Sequence, residues 1–252
     1  MIPRLRKFTH EKRLRVARRI SDRIVKKYGR DVLAVYVCGS TSKRLDRPYS
    51  DLEMIAVVRN GIEVPMKYYL RRGLIVNIEY FKAQSILDDA ERVTKDWHWA
   101  ADQYRNRIAL YERGGWLRKL DDAVSKNDKA SSAEAIRKSF MMMTESMAVL
   151  RNDILTHDKV GVLIRGRVLA EDAARILLLI NRRYVTTTSW FWKIVFDLPN
   201  KPKDFKMLVE KMSGFVPTTE EEVAVSSERM YKEMSQLVTH HGIKIERANL
   251  WV

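Results

Sequence analysis

Two carboxylates, Asp51 and Glu53, stand two residues apart at the head of the apolar run Met54 to Val58. Side chains alternate across a strand, so both point to the side that Ile55 and Val57 also occupy. Placed at the mouth of a buried sheet, the two acids repel, and each raises the other's pKa unless a cation lies between them. Mg²⁺ meets that need, because it takes one or two carboxylates and completes its shell with phosphate oxygens. Upstream, Gly39-Ser40 closes the apolar run Val32 to Val37, and ten residues separate Ser40 from Asp51. That turn offers backbone N–H groups and a hydroxyl to a triphosphate, with Lys43 and Arg44 nearby to neutralise charge. An Asp-x-Glu alone reads as easily as a solvated strand end. The Gly-Ser turn at this spacing makes the set specific.

The elements that must position these residues can be read in order. Thr9 to Tyr28 has helical periodicity, with Thr9 as N-cap and Gly29 at a left-handed stop. Val32 to Val37 is continuous and β-branched, as a buried strand requires. Asp51 to Val58 and Leu74 to Phe81 read as further strands, Ile86 to Val93 as part of a helix, and Ile108 to Tyr111 as a short strand before Gly114-Gly115. From Lys126 the texture changes: Asn127 to Ala130 reads as a polar linker, and Ser131 with Glu134 as a capping box. The remainder reads as helical over 132–155, 160–182, 189–196, 202–212 and 219–240. The fold class expected is α+β: a mixed β-sheet domain with flanking helices over residues 1–127, then a helical bundle over 128–252.

The carboxylate strand with its Gly-Ser turn resembles the signature of the polymerase-β-like nucleotidyltransferase superfamily. Tyr36 to Ser40 and Arg47 to Met54 look more narrowly like the kanamycin nucleotidyltransferase family, the aminoglycoside 4′-O-adenylyltransferases. Short matches in the same order extend along the chain. They include Lys27 to Gly29, Asp96-Trp97, Gly114-Gly115, Glu145 with Arg151-Asn152, Tyr184 to Ser189, Met212 to Gly214 and His241-Gly242. The resemblance implies a nucleotidyltransferase domain, a C-terminal five-helix bundle, and a homodimer whose active sites lie between subunits. It also implies ATP and an aminoglycoside as substrates, hence antibiotic resistance, with Mg²⁺ as cofactor. It implies a third metal-binding acid on the next long strand; ungapped matching gives Asn77 there, and a small gap gives Glu79, the choice made here.

The family's general base matches Glu145. Its helical neighbours are Met141, Met142, Ala148 and Val149, a mostly apolar surface with no cation one turn away. The core stripe of the same helix is Ile136, Phe140, Met143, Met147 and Leu150. If another subunit covers Glu145, desolvation moves its carboxylate toward the range useful for a general base. Two family positions differ here: a phosphate-binding lysine is Val149, and a drug-binding acid is Met141. Asp96 is the remaining candidate for a drug-side carboxylate, although Asp96-Trp97 also reads as a helix-end packing feature.

Composition bounds the rest. Lys and Arg number 47 against 32 acids, a net charge of +15, which favours anionic partners such as nucleotides or nucleic acid. Twelve of those cations crowd the first 30 residues, including Arg13, and read as a solvated helix face. The 31% charged residues also fit a thermophile's surface. No apolar run approaches the roughly 20 residues that cross a bilayer, and the N-terminus lacks a signal peptide's apolar core. The location expected is therefore cytoplasmic. One cysteine excludes an internal disulfide and a cysteine metal cage. His240-His241 reads as a surface helix end, the Tyr184, Trp190 and Trp192 cluster as core or interface, and no P-loop or Rossmann glycine motif is present. The alternatives are transfer to a protein or RNA acceptor, and a catalytically silent nucleotide- or nucleic-acid-binding module. The preferred nucleoside triphosphate and the native acceptor are not readable from the sequence.

Overall fold

The computed structural model describes residues 4–245; 1–3 and 246–252, with the ends of the two expected domains, lie outside the described residues. The chain forms two compact units. One takes the residues up to Val93 with Trp99–Ala130 and Val185–Thr188; the other takes Thr94–His98, Ser131–Tyr184 and the residues from Ser189 onward.

The first unit is a five-stranded mixed sheet. Its strands are β1 (Val32–Val37), β2 (Leu52–Val58), β3 (Lys67–Arg71), β4 (Leu74–Lys82) and β5 (Ile108–Glu112), in the order β3-β4-β2-β1-β5. β2 and β4 run parallel; the other neighbouring pairs are antiparallel. Helix α1 (His10–Tyr28) covers one face. Its Ala17, Ile20 and Ile24 meet Leu52, Met54, Ala56, Val76 and Ile78. Thr9 accepts the Lys12 N–H and caps the helix as expected. Gly29 ends it at φ +54°, ψ −118°, a positive φ outside the left-handed helical region. The opposite face, with Tyr36, Ile55 and Val57, packs on α3 (Ala83–Glu91) and α5 (Trp116–Lys129).

A one-turn helix α2 (Gly39–Ser42) follows β1, and α4 (Trp97–Arg105) precedes β5. Strand β3 and helix α5 went unread in the sequence. The Asn127–Ala130 linker is mostly the last turn of α5, and Asn127 is buried there, donating to the Arg92 carbonyl at 2.7 Å.

The second unit holds α6 (Ala133–Leu155), α7 (Lys159–Ile180), α8 (Phe191–Phe196), α9 (Phe205–Met212) and α10 (Glu220–His240). Its core combines the expected α6 stripe with α7, whose Leu169, Ala173, Ile176 and Leu177 are fully buried. The capping box expected at Ser131 and Glu134 does not form: Ser132 is the N-cap, without a side-chain bond, and Glu134 pairs with Arg137. A capping box does form at α10, between Thr219 and Glu222. Trp192 stands in an aromatic cluster with Phe191, Phe196 and Phe215. His240 and His241 are exposed at the end of α10, with ring centroids 6.1 Å apart. Among the described residues, no helix is long and apolar enough to cross a membrane.

Candidate active site

Glu53 lies on the α3/α5 face of the sheet, as its parity with Ile55 and Val57 requires. Its register partner on the parallel neighbour β4 is Asn77, while Glu79 stands opposite Ile55. Asp51 immediately precedes β2 and is half-buried. Burial, then the charge of Asp51, push the Glu53 carboxyl up to about 7. The site stores repulsion at neutral pH.

Gly39 is fixed by Glu53. At φ +64° it adopts a conformation that side chains disfavour, and a Cβ there would stand 1.6 Å from Glu53 Oε2. The Cys38 N–H donates to the Glu53 carbonyl at 3.1 Å, so turn and acid are clamped by backbone as well. Ser40 is half-buried within α2, and Arg44 is exposed with φ +58°.

Lys43 differs from its sequence reading. Its ammonium donates to the Gly39 carbonyl at 2.5 Å and pairs with Asp102 of α4. Burial raises the Asp102 carboxyl despite that pairing. Asn106 donates to Asp102 at 2.9 Å, and Ser42 donates to the Asn106 carbonyl at 2.8 Å. This anchor locks the Gly-Ser turn, so Lys43 is a structural cation as well as a neighbour of the site. Asp102 went unnoticed because nothing local marks it; its partner lies 59 residues away.

A second missed residue is Arg13. Expected on a solvated helix face, it is fully buried instead. It pairs with Asp46 and donates to the carbonyls of Arg47 and Ser50, both at 3.0 Å, while His10 Nδ1 lies 2.8 Å from Asp46. A buried guanidinium thereby holds the loop that delivers Asp51. Its sequence signal was position: Arg13 sits one turn before Ala17 on the apolar face of α1.

Glu79, opposite Ile55, lies on the same sheet face as Glu53. Asn77 donates to Glu79 Oε1 at 3.3 Å, and the described residues contain no group of three His, Cys, Asp or Glu placed to hold a metal. Asp51 and Glu53, with Glu79 two positions along on the same sheet face, offer oxygen ligands only, which suits Mg²⁺, a hard cation that keeps water and substrate phosphate oxygens in its shell.

In the second unit, Glu145 is exposed on α6, with Met141 43% and Met142 40% exposed beside it. The next residue, Ser146, donates to the buried carboxylate of Asp172 on α7 at 2.8 Å. Burial raises that carboxyl. Asp96 is exposed, pairs with Lys95 at 2.7 Å, and borders a shallow dimple with Ser139 and Met142 of α6.

A mixed sheet carrying two acids, followed by a helical unit, is the class of protein these features define. The KNTase C-terminal domain family matches residues 114–244, a little over half of the chain. The chain belongs to that family. It is also 34% identical over 113 residues to the aminoglycoside nucleotidyltransferases (4′) of Staphylococcus aureus and a Bacillus species. The matched stretch covers 44% of this chain and 44% of each relative, so less than half of their length is spanned. A solved nucleotidyltransferase-like protein from Exiguobacterium sibiricum shares the fold, with a TM-score of 0.58 at 12% identity over 93% of this chain and 81% of that one.

Proposed function

We propose that the protein transfers AMP from ATP to a hydroxyl of an aminoglycoside, the 4′-hydroxyl, and releases pyrophosphate. The observation that carries this reading is the clamped pair Asp51 and Glu53, whose stored repulsion a divalent cation relieves. A Mg²⁺ ion held there would supply neutralisation of the charge that develops in the transition state. Asp51 and Glu53 would hold it, with Glu79 on the same sheet face as the third acid. Gly39 and Ser40 cradle the triphosphate tail, while Lys43 and Arg44 lend it positive charge. The acceptor oxygen attacks the α-phosphorus, the bond to the bridging oxygen breaks, and the acceptor's proton passes to Glu145 of the partner subunit. That role requires a homodimer, and the exposed, methionine-flanked face of Glu145 is one that a second copy would cover. Asp96, which shares a surface dimple with Ser139 and Met142 of α6, is the proposed drug-side acid.

Pyrophosphate release from Mg-ATP with a panel of aminoglycosides tests the proposal. Release that requires kanamycin and collapses in Glu145→Gln supports substrate and base together. Absence of release with every drug, in protein that binds Mg-ATP, sends the search to protein or RNA acceptors.

A further inference from the structure

The first unit carries a second feature with no place in that chemistry. A cleft of about 350 Å³ opens between the segment before α1, the exposed flank of α1 and the β3–β4 turn. Every charged residue lining it is a cation: Arg6, Lys7, Lys12, Arg15, Arg19, Arg71 and Arg72. Among the described residues none of these seven pairs with an acid, whereas Arg13 on the same helix does.

The cleft is built on ordered backbone. The Arg6 N–H donates to the Gly73 carbonyl at 3.0 Å, and the Phe8 N–H to the Pro48 carbonyl at 2.8 Å. A Cβ on Gly73 would meet the Arg4 carbonyl oxygen at 2.8 Å, so the missing side chain lets the segment lie on the turn. Arg72 occupies that turn at φ +49°, where Asn or Gly ordinarily sits. Backbone strain is accepted at a position that places another cation beside the cleft.

Beyond the cleft the charge continues. Lys12, Arg15, Arg19, Arg23 and Lys26 recur at three- and four-residue steps, all exposed, along about 21 Å of helix. Tyr69 shares its sheet face with Arg71 and is 38% exposed, and Phe8 lines the cleft. A linear cationic track beside an accessible aromatic ring, that of Tyr69, is the arrangement that binds single strands, by phosphate neutralisation and base stacking. An anionic bilayer fits less well. The apolar face of α1, which a bilayer would have to receive, is already spent on the sheet.

We propose that this cleft and the α1 flank bind single-stranded nucleic acid along its phosphodiester backbone. Binding there needs neither Asp51 nor Glu53, so it stands apart from nucleotidyl transfer.

The test is fluorescence anisotropy of the full chain with labelled oligo(U) and oligo(dT) of about twelve nucleotides, within the range of single-strand site sizes. Affinity should fall with salt at a log–log slope of about −3, as for roughly four neutralised phosphates. Arg15→Glu with Arg19→Glu should weaken binding at least tenfold without lowering the melting temperature. Arg15→Gln with Arg19→Gln serves if the reversal perturbs folding, and Tyr69→Ala should cost several-fold. Arg118→Glu with Lys119→Glu, exposed cations on α5, makes the same charge change elsewhere and should leave binding intact. Equal loss in that control overturns the proposal. So does binding to polyglutamate or phosphatidylserine vesicles as tight as to the oligonucleotides, or no loss in either cleft variant.

Discussion

Asp51 and Glu53 are held ready in a way that Glu145 is not. The two acids are clamped by a backbone bond, by a glycine with no room for a Cβ, and by a loop tied to a buried guanidinium. Glu145 stands exposed on a regular helix, flanked by the exposed Met141 and Met142. The contrast teaches that charge can be concentrated within one unit by folding, whereas the proposed base must be desolvated by something that arrives later. Stability and activity should therefore separate at the two places.

The largest effect is expected at the clamped end. Asp51→Ala should lower turnover about a thousandfold or more, since charge stabilisation through a bound ion is worth several kcal/mol. The metal-free variant should melt no lower than the parent, because Glu53 loses a repelling neighbour. A lower melting temperature would show Asp51 to be structural and would break the contrast. Glu145→Gln should lower turnover by about 10² to 10⁴, the range for a general base, with stability unchanged within about 0.5 kcal/mol as at other exposed sites. Urea unfolding beside kinetics checks both halves.

Arg13→Met should destabilise by about 3–5 kcal/mol, because it leaves Asp46 buried without its cation. Its weaker Mg²⁺ binding, measured by calorimetry under conditions where the variant is folded, would tie the loop to the site. Unchanged Mg²⁺ affinity would limit Arg13 to stability.

The smallest effect is on pH. Glu53 titrates near 7 when folded, against an ordinary value of 4.5. The folded protein thus holds a proton that the unfolded chain has released, and this contribution to stability is lost as pH rises from 4.5 through 7. His98 has the opposite sign: burial lowers it from 6.5 to about 4, so its contribution is lost as pH falls through that window. Glu53→Gln should remove the first dependence alone, leaving a stability profile that rises with pH between 4 and 6.5. Mg²⁺ affinity should fall as pH drops below 7, up to tenfold per unit, as the proton competes for Glu53.

Local periodicity determined much of this protein. β1 begins and ends where its β-branched run does, α1 follows its Thr9 cap, and the parity of Asp51, Glu53, Ile55 and Val57 assigned the acids to one face. These features depend on neighbours a few residues away, so the sequence alone carries them. Strand β3 escaped because it is an exposed edge strand without alternation, and α5 because its polar last turn looks like a linker until Asn127 is seen to be buried. Only the tertiary structure decided which cations are spent. Arg13 and Lys43 look like any other basic residues, yet folding brings Asp46 and Asp102 to them across 33 and 59 residues. Among the described residues it also left Arg15 and Arg19, two and six positions beyond Arg13, without such partners. A charge's role depends on what long-range packing puts within a few ångströms of it, and that distance is not written in the order of residues.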